Sequence, residues 1–350
     1  MTKARIGSDP PRLTEEAPSN GQRTSLGVTQ NSFDIQMPTQ ELLPQLRWLA
    51  LSSQERFAHP AEFTLAQLLT FYDVRWEYEP TTFALRWTPD GQPSEFVTPD
   101  FYLPEHGVYL ELTTMRQRLV TRKNRKFRKL RESYPNVQVK ILYLRDFERL
   151  QDAFSQGPRQ ANSTTGDVVL SEAELSTRIS EIAEELCSRW QGRLGMRTTR
   201  DLLERPLLLG IGEGSTLFLR QLEAKMGAAG VPADSARIDL TTREGKADWA
   251  RVRIARSPRI PPAGRHVVIV QDIVSSGLSA TYVASWLRRH GARSIELCAL
   301  LDREQARVLE VPVDVKGFVA PDIPLGGFGL QRWEDFRNLS YIAEIRLKGS

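Results

Sequence analysis

The most concentrated apolar stretch in the chain is Val267-Val268-Ile269-Val270, a β-branched run of the kind that fills a strand buried on both faces. The run gives way to Gln271 and Asp272. A small-residue segment follows, with Ser275, Ser276, Gly277, Leu278 and Ser279. From 280 to 290 the spacing turns helical, with Val283, Trp286 and Leu287 on one face. Strand and helix patterns alternate from Val168 onward, which predicts a parallel sheet wrapped by helices. The front of the chain reads differently. A helix is predicted over 60–72, with Phe63, Leu65, Leu68, Leu69 and Phe71 as its apolar face. Short strands are predicted over 76–80, 83–87, 101–104 and 108–112, with Asp90-Gly91 as a hairpin turn signal. A very basic helix over 118–134 and an apolar strand over 137–144 close this unit.

These patterns divide the chain into two domains. Residues 1–38, rich in Pro, Thr, Ser, Gly and Gln, read as a disordered tail. A short helix over 42–51 leads into a small α/β domain placed at 39–150. Residues 151–166 read as a linker, and 167–350 as the larger α/β domain. No internal repeat is detected.

Composition narrows the class without naming it. At 350 residues, with 40% hydrophobic and 26% charged residues, the mix is that of a soluble globular protein. Net charge is +4 and the pI about 9.1, so basic character is local. Cys187 and Cys298 lack metal-ligand neighbours, which predicts buried free thiols in a reducing cytoplasm. No signal peptide or membrane-crossing run is apparent. The expected location is cytoplasmic, with no membrane partner. Homo-oligomerisation is left open.

A buried strand, a small-residue loop and a helix start make an anion cradle. Loop amides converge on a phosphate, serine hydroxyls add hydrogen bonds, and the helix N-terminus adds positive potential. Here the sequence resembles the type I phosphoribosyltransferases, the hypoxanthine-guanine branch in particular. The resemblance extends over Val168 to Leu175 with Arg178, Ile179, Ile182 and Ala183; over Pro206 to Gly210 with Glu213, Gly214 and Ser215; and over Leu300 to Arg303, Gly317, Phe318, Pro321, Asp322, Gly327 to Leu330, and Arg337 to Leu339. It covers about 167–348. It implies a 5′-phosphate site at Ser275, Ser276, Gly277, Leu278 and Ser279, with Ser275 also at the catalytic loop position. It implies ribose and metal-side positions at Gln271 and Asp272, and a pyrophosphate loop at Glu213, Gly214 and Ser215. The base would meet Arg303, Pro324 and Leu325. The implied ligand is phosphoribosyl pyrophosphate or a purine nucleotide, with Mg2+ or Mn2+, and 239–251 would be a loop closing over the site.

The polar set departs from the family pattern. Gln271 stands where an acid is usual, Ser275 where the acid handling the purine proton falls, and Glu213 where a lysine is frequent. Arg303 replaces the purine-contacting lysine, Pro324 the stacking aromatic and Gln331 the terminal magnesium-contacting aspartate. Loss of an acid–base group costs about 100- to 10,000-fold in rate. These replacements favour nucleotide sensing over efficient purine salvage, and both readings stay open.

In the front domain, Thr98-Pro99-Asp100 and then Glu111-Leu112-Thr113 resemble the PD-(D/E)XK nuclease superfamily. The resemblance implies a restriction-endonuclease-like α/β fold and a divalent cation at Asp100 and Glu111, with Glu62 as an additional acid. Two such carboxylates hold a hard cation that polarises a phosphodiester. The family's lysine position is Thr113 here, and Lys123 or Lys126 on the next helix is expected to supply the ammonium. Seven basic residues lie within 121–131, and Phe127 and Leu130 are the large apolar positions among them. That pattern predicts a narrow docking stripe and a charged face suited to nucleic acid. Two functions compete: a phosphoribosyltransferase-like protein fused to a nuclease-like domain, and a metal-dependent nuclease or nucleic-acid binder regulated by a nucleotide-sensing domain.

Overall fold

The computed structural model describes residues 5–7, 57–113, 117–143, 163–194, 205–241, 253–256, 258–330 and 333–347. The chain divides into two compact units, with the boundary at Leu144 and Arg145 except that Phe71–Asp73 group with the second.

In the first unit, β1 (Arg5–Gly7) is a short strand, and α1 (Pro60–Phe71) is the first helix. Pro60 opens α1 where a missing N–H costs nothing. Glu62, in its first turn, accepts the amides of Ala58 at 3.1 Å and His59 at 3.3 Å, which caps the helix start. Its buried face is Leu65, Ala66, Leu68 and Leu69. Five strands follow: β2 (Glu77–Tyr78), β3 (Thr81–Trp87), β4 (Pro93–Val97), β5 (Phe101–Leu103) and β6 (Val108–Thr113). Then come α2 (Gln117–Ser133) and β7 (Gln138–Tyr143). They form two sheets, of order β1-β3-β4 and β2-β5-β6-β7. β1 lies inside the stretch expected to be an unstructured tail; it pairs in parallel with Thr81–Phe83 along the edge of β3. An open strand edge offers unpaired N–H and C=O groups to any extended segment, and short polar sequence does not announce such pairing. The rest of the tail and the helix expected over 42–51 lie outside the described residues.

The narrow stripe on α2 is confirmed. Phe127 and Leu130 are fully buried among Phe83, Leu85, Val97, Tyr134 and Val139.

The second unit opens with β8 (Ser163–Leu170) and α3 (Glu172–Leu194), then β9 (Leu207–Ile211), α4 (Thr216–Ala228), β10 (Asp234–Thr241) and β11 (Arg253–Arg256). β8 begins within the expected linker, because residues 163–165 pair antiparallel with a C-terminal strand; 151–162 lie outside the described residues. Next come β12 (His266–Val274), α5 (Leu278–Arg289), β13 (Ser294–Asp302), β14 (Val315–Val319), β15 (Leu325–Gly327) and β16 (Ile342–Leu347). The main sheet has the order β11-β10-β9-β12-β13-β14; all neighbouring pairs are parallel except β10 with β11. β15, β16 and β8 form a small antiparallel sheet.

Both faces of the main sheet are covered, as continuous apolar strands require. Leu208, Val268, Val270, Cys298 and Leu300 face Ile182, Leu186 and Trp190 of α3 and Phe218 and Leu222 of α4. The alternate residues Leu207, Leu209, Val267, Ile269 and Leu297 face Val283 and Leu287 of α5. Cys187 and Cys298 are buried free thiols. Among the described residues no helix is long and apolar enough to cross a membrane.

Candidate functional site

β9 lies between β10 and β12, so successive connections leave it in opposite directions across the sheet. Such a switch point opens a crevice at the carboxyl ends of the strands, where open α/β sheets bind ligands. Two loops border it: one after β9, the other after β12.

The loop after β12 is later and tighter than its sequence suggests. β12 continues to Val274, because Ile273 and Val274 keep register with Leu301 and Asp302 of β13. Gln271 and Asp272 therefore sit inside the strand. Leu278 and Ser279 open α5, so the loop proper is Ser275, Ser276 and Gly277.

The carbonyls of Val274, Ser275 and Ser276 are held from behind. The Val274 carbonyl accepts the amide of Arg303 at 2.9 Å and Arg307 Nη1 at 2.8 Å. The same Nη1 donates to the Ser275 carbonyl at 2.8 Å. Ser276's carbonyl accepts the amides of Val308 at 2.9 Å and Leu309 at 3.0 Å. In a trans peptide the next residue's N–H points opposite to the carbonyl. The amides of Ser275, Ser276 and Gly277 are thus directed away from the 303–309 segment. They and the amide of Ser279 find no acceptor among the described residues, while Leu278's amide reaches Ser276 Oγ at 3.4 Å. Gly277 caps α5 at φ 81°. A Cβ there would stand 2.4 Å from the Leu309 carbonyl oxygen, so only glycine fits.

The brace behind the loop is a buried charge cluster. Arg307 and Asp302 are 2% and 1% exposed and ion-paired, and Lys316 Nζ approaches Asp302 at 3.1 Å. Sequence reasoning missed Arg307. An arginine between Ala306 and Val308 looks like any surface residue until the carbonyls it serves, some 30 positions earlier, are in view.

Around this loop, Asp272 is buried, and the Gln271 Oε1 atom is buried without a hydrogen-bond partner among the described residues. One carboxylate and one amide oxygen supply only part of a magnesium shell, so a magnesium ion at this strand end would take the rest from ligand phosphate and water. The loop after β9 turns at Gly212, φ 70°. Ser215 does not face the crevice: it is fully buried and its hydroxyl donates to the Gly212 carbonyl at 2.9 Å. Gly214 is buried too, whereas Glu213 is exposed and reaches Arg337 Nη1 at 3.3 Å. Arg303 Nη2 donates to the Ile323 carbonyl at 2.9 Å. Pro324 is exposed, but Leu325 belongs to the core beside Phe328 and Ile342, so it is a packing residue. Gln331 and most of 239–251 lie outside the described residues.

Residues 196–331 match the phosphoribosyl transferase domain. The C-terminal part of the chain carries such a domain, with hypoxanthine-guanine phosphoribosyltransferases among its relatives. The hypoxanthine-guanine phosphoribosyltransferase of Bacillus subtilis is 27% identical over 180 residues, covering 51% of this chain and 92% of the relative. The hypoxanthine phosphoribosyltransferase of Escherichia coli is 28% identical over 187 residues, 52% of this chain and 97% of that one. The bifunctional protein TilS/HprT of Listeria monocytogenes is 27% identical over 220 residues; the match spans 61% of this chain but 32% of the relative. Among solved structures, a hypoxanthine-guanine phosphoribosyltransferase of Bacillus anthracis aligns with TM-score 0.45 and 21% identity, covering 53% of this chain and all of that one.

The N-terminal unit assembles a second polar centre. Asp100 and Glu111, on β5's leading edge and on β6, are 8% and 1% exposed. Leu112 donates its amide to Asp100 Oδ2 at 2.6 Å. Lys123, from α2, ion-pairs with Glu111 and donates to the Leu112 carbonyl at 3.2 Å. Lys126 turns away, to the Phe96 carbonyl at 2.9 Å. Thus Lys123, and not Lys126, brings an ammonium to the carboxylates. Burial raises the pKa of Asp100, countered in part by the Leu112 amide and Lys123. Burial and then the Asp100 charge raise that of Glu111, against Lys123. Glu111 Oε2 and Thr113 Oγ1 are buried without hydrogen-bond partners among the described residues. Glu62 does not join the pair: it accepts the Tyr78 hydroxyl at 2.7 Å, and no group of three or more potential metal-binding side chains forms among the described residues.

The basic face of α2 is thinner than its sequence implies. Besides Lys123 and Lys126, Lys129 pairs with Glu95 at 2.5 Å and Arg131 donates to the Val139 carbonyl at 2.9 Å. Arg125 and Arg128 remain exposed.

Proposed function

We propose that the C-terminal domain binds a phosphorylated ribose, as phosphoribosyl pyrophosphate or a purine nucleotide, with its phosphate on the amides of Ser275, Ser276, Gly277 and Ser279. The observation that carries this reading is the set of loop carbonyls tied back by Arg303, Arg307, Val308 and Leu309. It leaves an unsatisfied donor cluster at a helix start, and an anion is its natural partner. Asp272 stands at the same strand end, placed to accept ribose hydroxyls. The family match and the purine phosphoribosyltransferase relatives support the same ligand class. With Gln271 and Ser275 lacking carboxylates, the domain binds better than it turns over. Calorimetric titration with purine 5′-monophosphates and phosphoribosyl pyrophosphate plus magnesium tests this, followed by a nucleotide-formation assay with hypoxanthine or guanine. Binding with little turnover fits the reading, rapid turnover replaces sensing with catalysis, and absence of binding refutes it.

A second reading concerns the N-terminal unit. The buried, unpartnered Glu111 Oε2 beside Asp100 suits a hard cation such as Mg2+ or Mn2+, which commonly binds through one or two carboxylates and completes its shell with water or phosphate. Asp100 and Glu111 would hold it, and it would supply Lewis-acid polarisation of a phosphodiester. Lys123 holds a proton and positive charge at the same place. The unit is then a PD-(D/E)XK-like nuclease whose lysine comes from α2 in place of Thr113. Incubation with single- and double-stranded DNA and RNA plus metal, with Asp100→Ala and Glu111→Ala as controls, decides it: cleavage by either control at the wild-type rate rejects the site.

A further inference from the structure

We infer that the Lys123 ammonium is a tethered counter-ion: it fills the cation position of the N-terminal site, and a divalent metal enters only by displacing it. The inference rests on the reading of Asp100 and Glu111 as that site and adds how its occupancy is controlled.

Two carboxylates buried together need positive charge close by. Asp100 has the Leu112 amide at 2.6 Å, which carries a partial charge only. The full charge comes from Lys123, which ion-pairs with Glu111 Oε1 and donates to the Leu112 carbonyl at 3.2 Å. One ammonium thus meets the carboxylate that a metal would use and the residue whose amide holds the other carboxylate. It leaves oxygens unserved. Glu111 Oε2 and, two residues on along the same face of β6, Thr113 Oγ1 are buried with no hydrogen-bond partner among the described residues. A hydrated divalent cation brings twice the charge and further donors in its bound water.

The helix that carries the ammonium cannot retreat. Phe127 and Leu130 are buried beneath α2, Lys126 is tied to the Phe96 carbonyl at 2.9 Å, and Lys129 to Glu95 at 2.5 Å. The Lys123 side chain itself is free to turn outward: it is 24% exposed, whereas that of Glu111 is 2% exposed. Exchange of ammonium for metal therefore needs only rotation about the lysine's own bonds, with the strand and the helix in place. Breaking the Lys123–Glu111 pair opposes every binding event, so the wild-type site holds metal more weakly than its carboxylates alone would.

The test is calorimetric titration of the full chain with Mn2+, comparing wild type, Lys123→Met and Lys123→Arg, with Glu111→Gln as the blank for manganese held elsewhere on the chain. Lys123→Met should bind at least about tenfold more tightly than wild type, and Lys123→Arg, which keeps the charge, should show no gain. Manganese that binds Lys123→Met alone is the same result in its extreme form. Equal or weaker binding by Lys123→Met overturns the inference and leaves the metal site standing, as do equal gains in both variants. Binding by none of the proteins beyond the blank overturns the site and the inference together. Should the variants fail to fold, the wild type decides. Acylation of Lys123 by an amine-reactive reagent, read by mass spectrometry against Lys126, should rise when manganese binds; unchanged or reduced labelling of Lys123 overturns the inference.

Discussion

Replacing Arg307 by methionine removes the guanidinium and keeps most of the side chain's bulk. Three interactions are lost together: the ion pair with Asp302 and the bonds to the Val274 and Ser275 carbonyls. Val274's carbonyl keeps the Arg303 amide, and Asp302 keeps Lys316, itself 35% exposed. Breaking a buried ion pair from one side costs about 3–5 kcal/mol, and stranding one carbonyl about 1–3 kcal/mol. The surviving Lys316 contact offsets part of this, so about 3–5 kcal/mol is expected in total. For a domain of this size each kcal/mol lowers Tm by about 2–4 °C, which predicts a fall of roughly 6–20 °C by scanning calorimetry. A second readout separates positioning from stability. With the Ser275 carbonyl released, the Ser276 amide loses its fixed direction, and the stabilisation that a purine monophosphate gives the wild type should shrink at least about tenfold in terms of affinity. Arg307→Lys keeps the charge without the fork and should fall between the two. A Tm within about 2 °C of wild type, or undiminished ligand stabilisation, would refute the claim that this arginine aims the loop.

Three further outcomes follow from the N-terminal unit. If it cleaves nucleic acid, Lys123→Ala should lose about 100-fold or more in metal-dependent cleavage while Lys126→Ala stays within a few-fold, and similar losses would dissolve the distinction drawn between them. Asp100 and Glu111 have folded-state pKa values raised above the unfolded ones, so the native state holds extra protons between the two. Stability should therefore fall as pH rises from about 4 through that window, and divalent cation should restore it increasingly toward about pH 8; urea melts that show a rise with pH, or no metal effect, contradict this. Phe127→Ala should cost about 3–5 kcal/mol in the same melts, since the ring is fully buried beneath α2, and a cost below about 1 kcal/mol would mean that the stripe is not what seats the helix.

The parts legible in the sequence are those fixed by local pattern. The Val267–Val270 run gave away a strand covered on both faces, and Phe127 with Leu130 gave away how α2 docks. The spacing of Gly277 after that run located the turn into α5. Other features depend on groups far apart in the chain. Arg307 acquires its role from carbonyls that only the fold brings to it. Ser215 and Leu325 carry polar-loop and base-site positions by resemblance, yet packing turns them inward. The charge of α2 looked free because its partners, Glu95, Glu111 and three carbonyls, come from strands elsewhere in the unit. Arg5–Gly7 pairs because β3 has an open edge, a property of the sheet and not of those three residues.

A crystal structure of the full chain with a purine 5′-monophosphate at millimolar concentration reads the site most directly. The phosphate oxygens should lie about 3 Å from the amides of Ser275, Ser276, Gly277 and Ser279, and the density should vanish in Gly277→Ala, whose Cβ would drive the loop off the Leu309 carbonyl. A nucleotide bound elsewhere, or seated there unchanged in Gly277→Ala, would contradict the account.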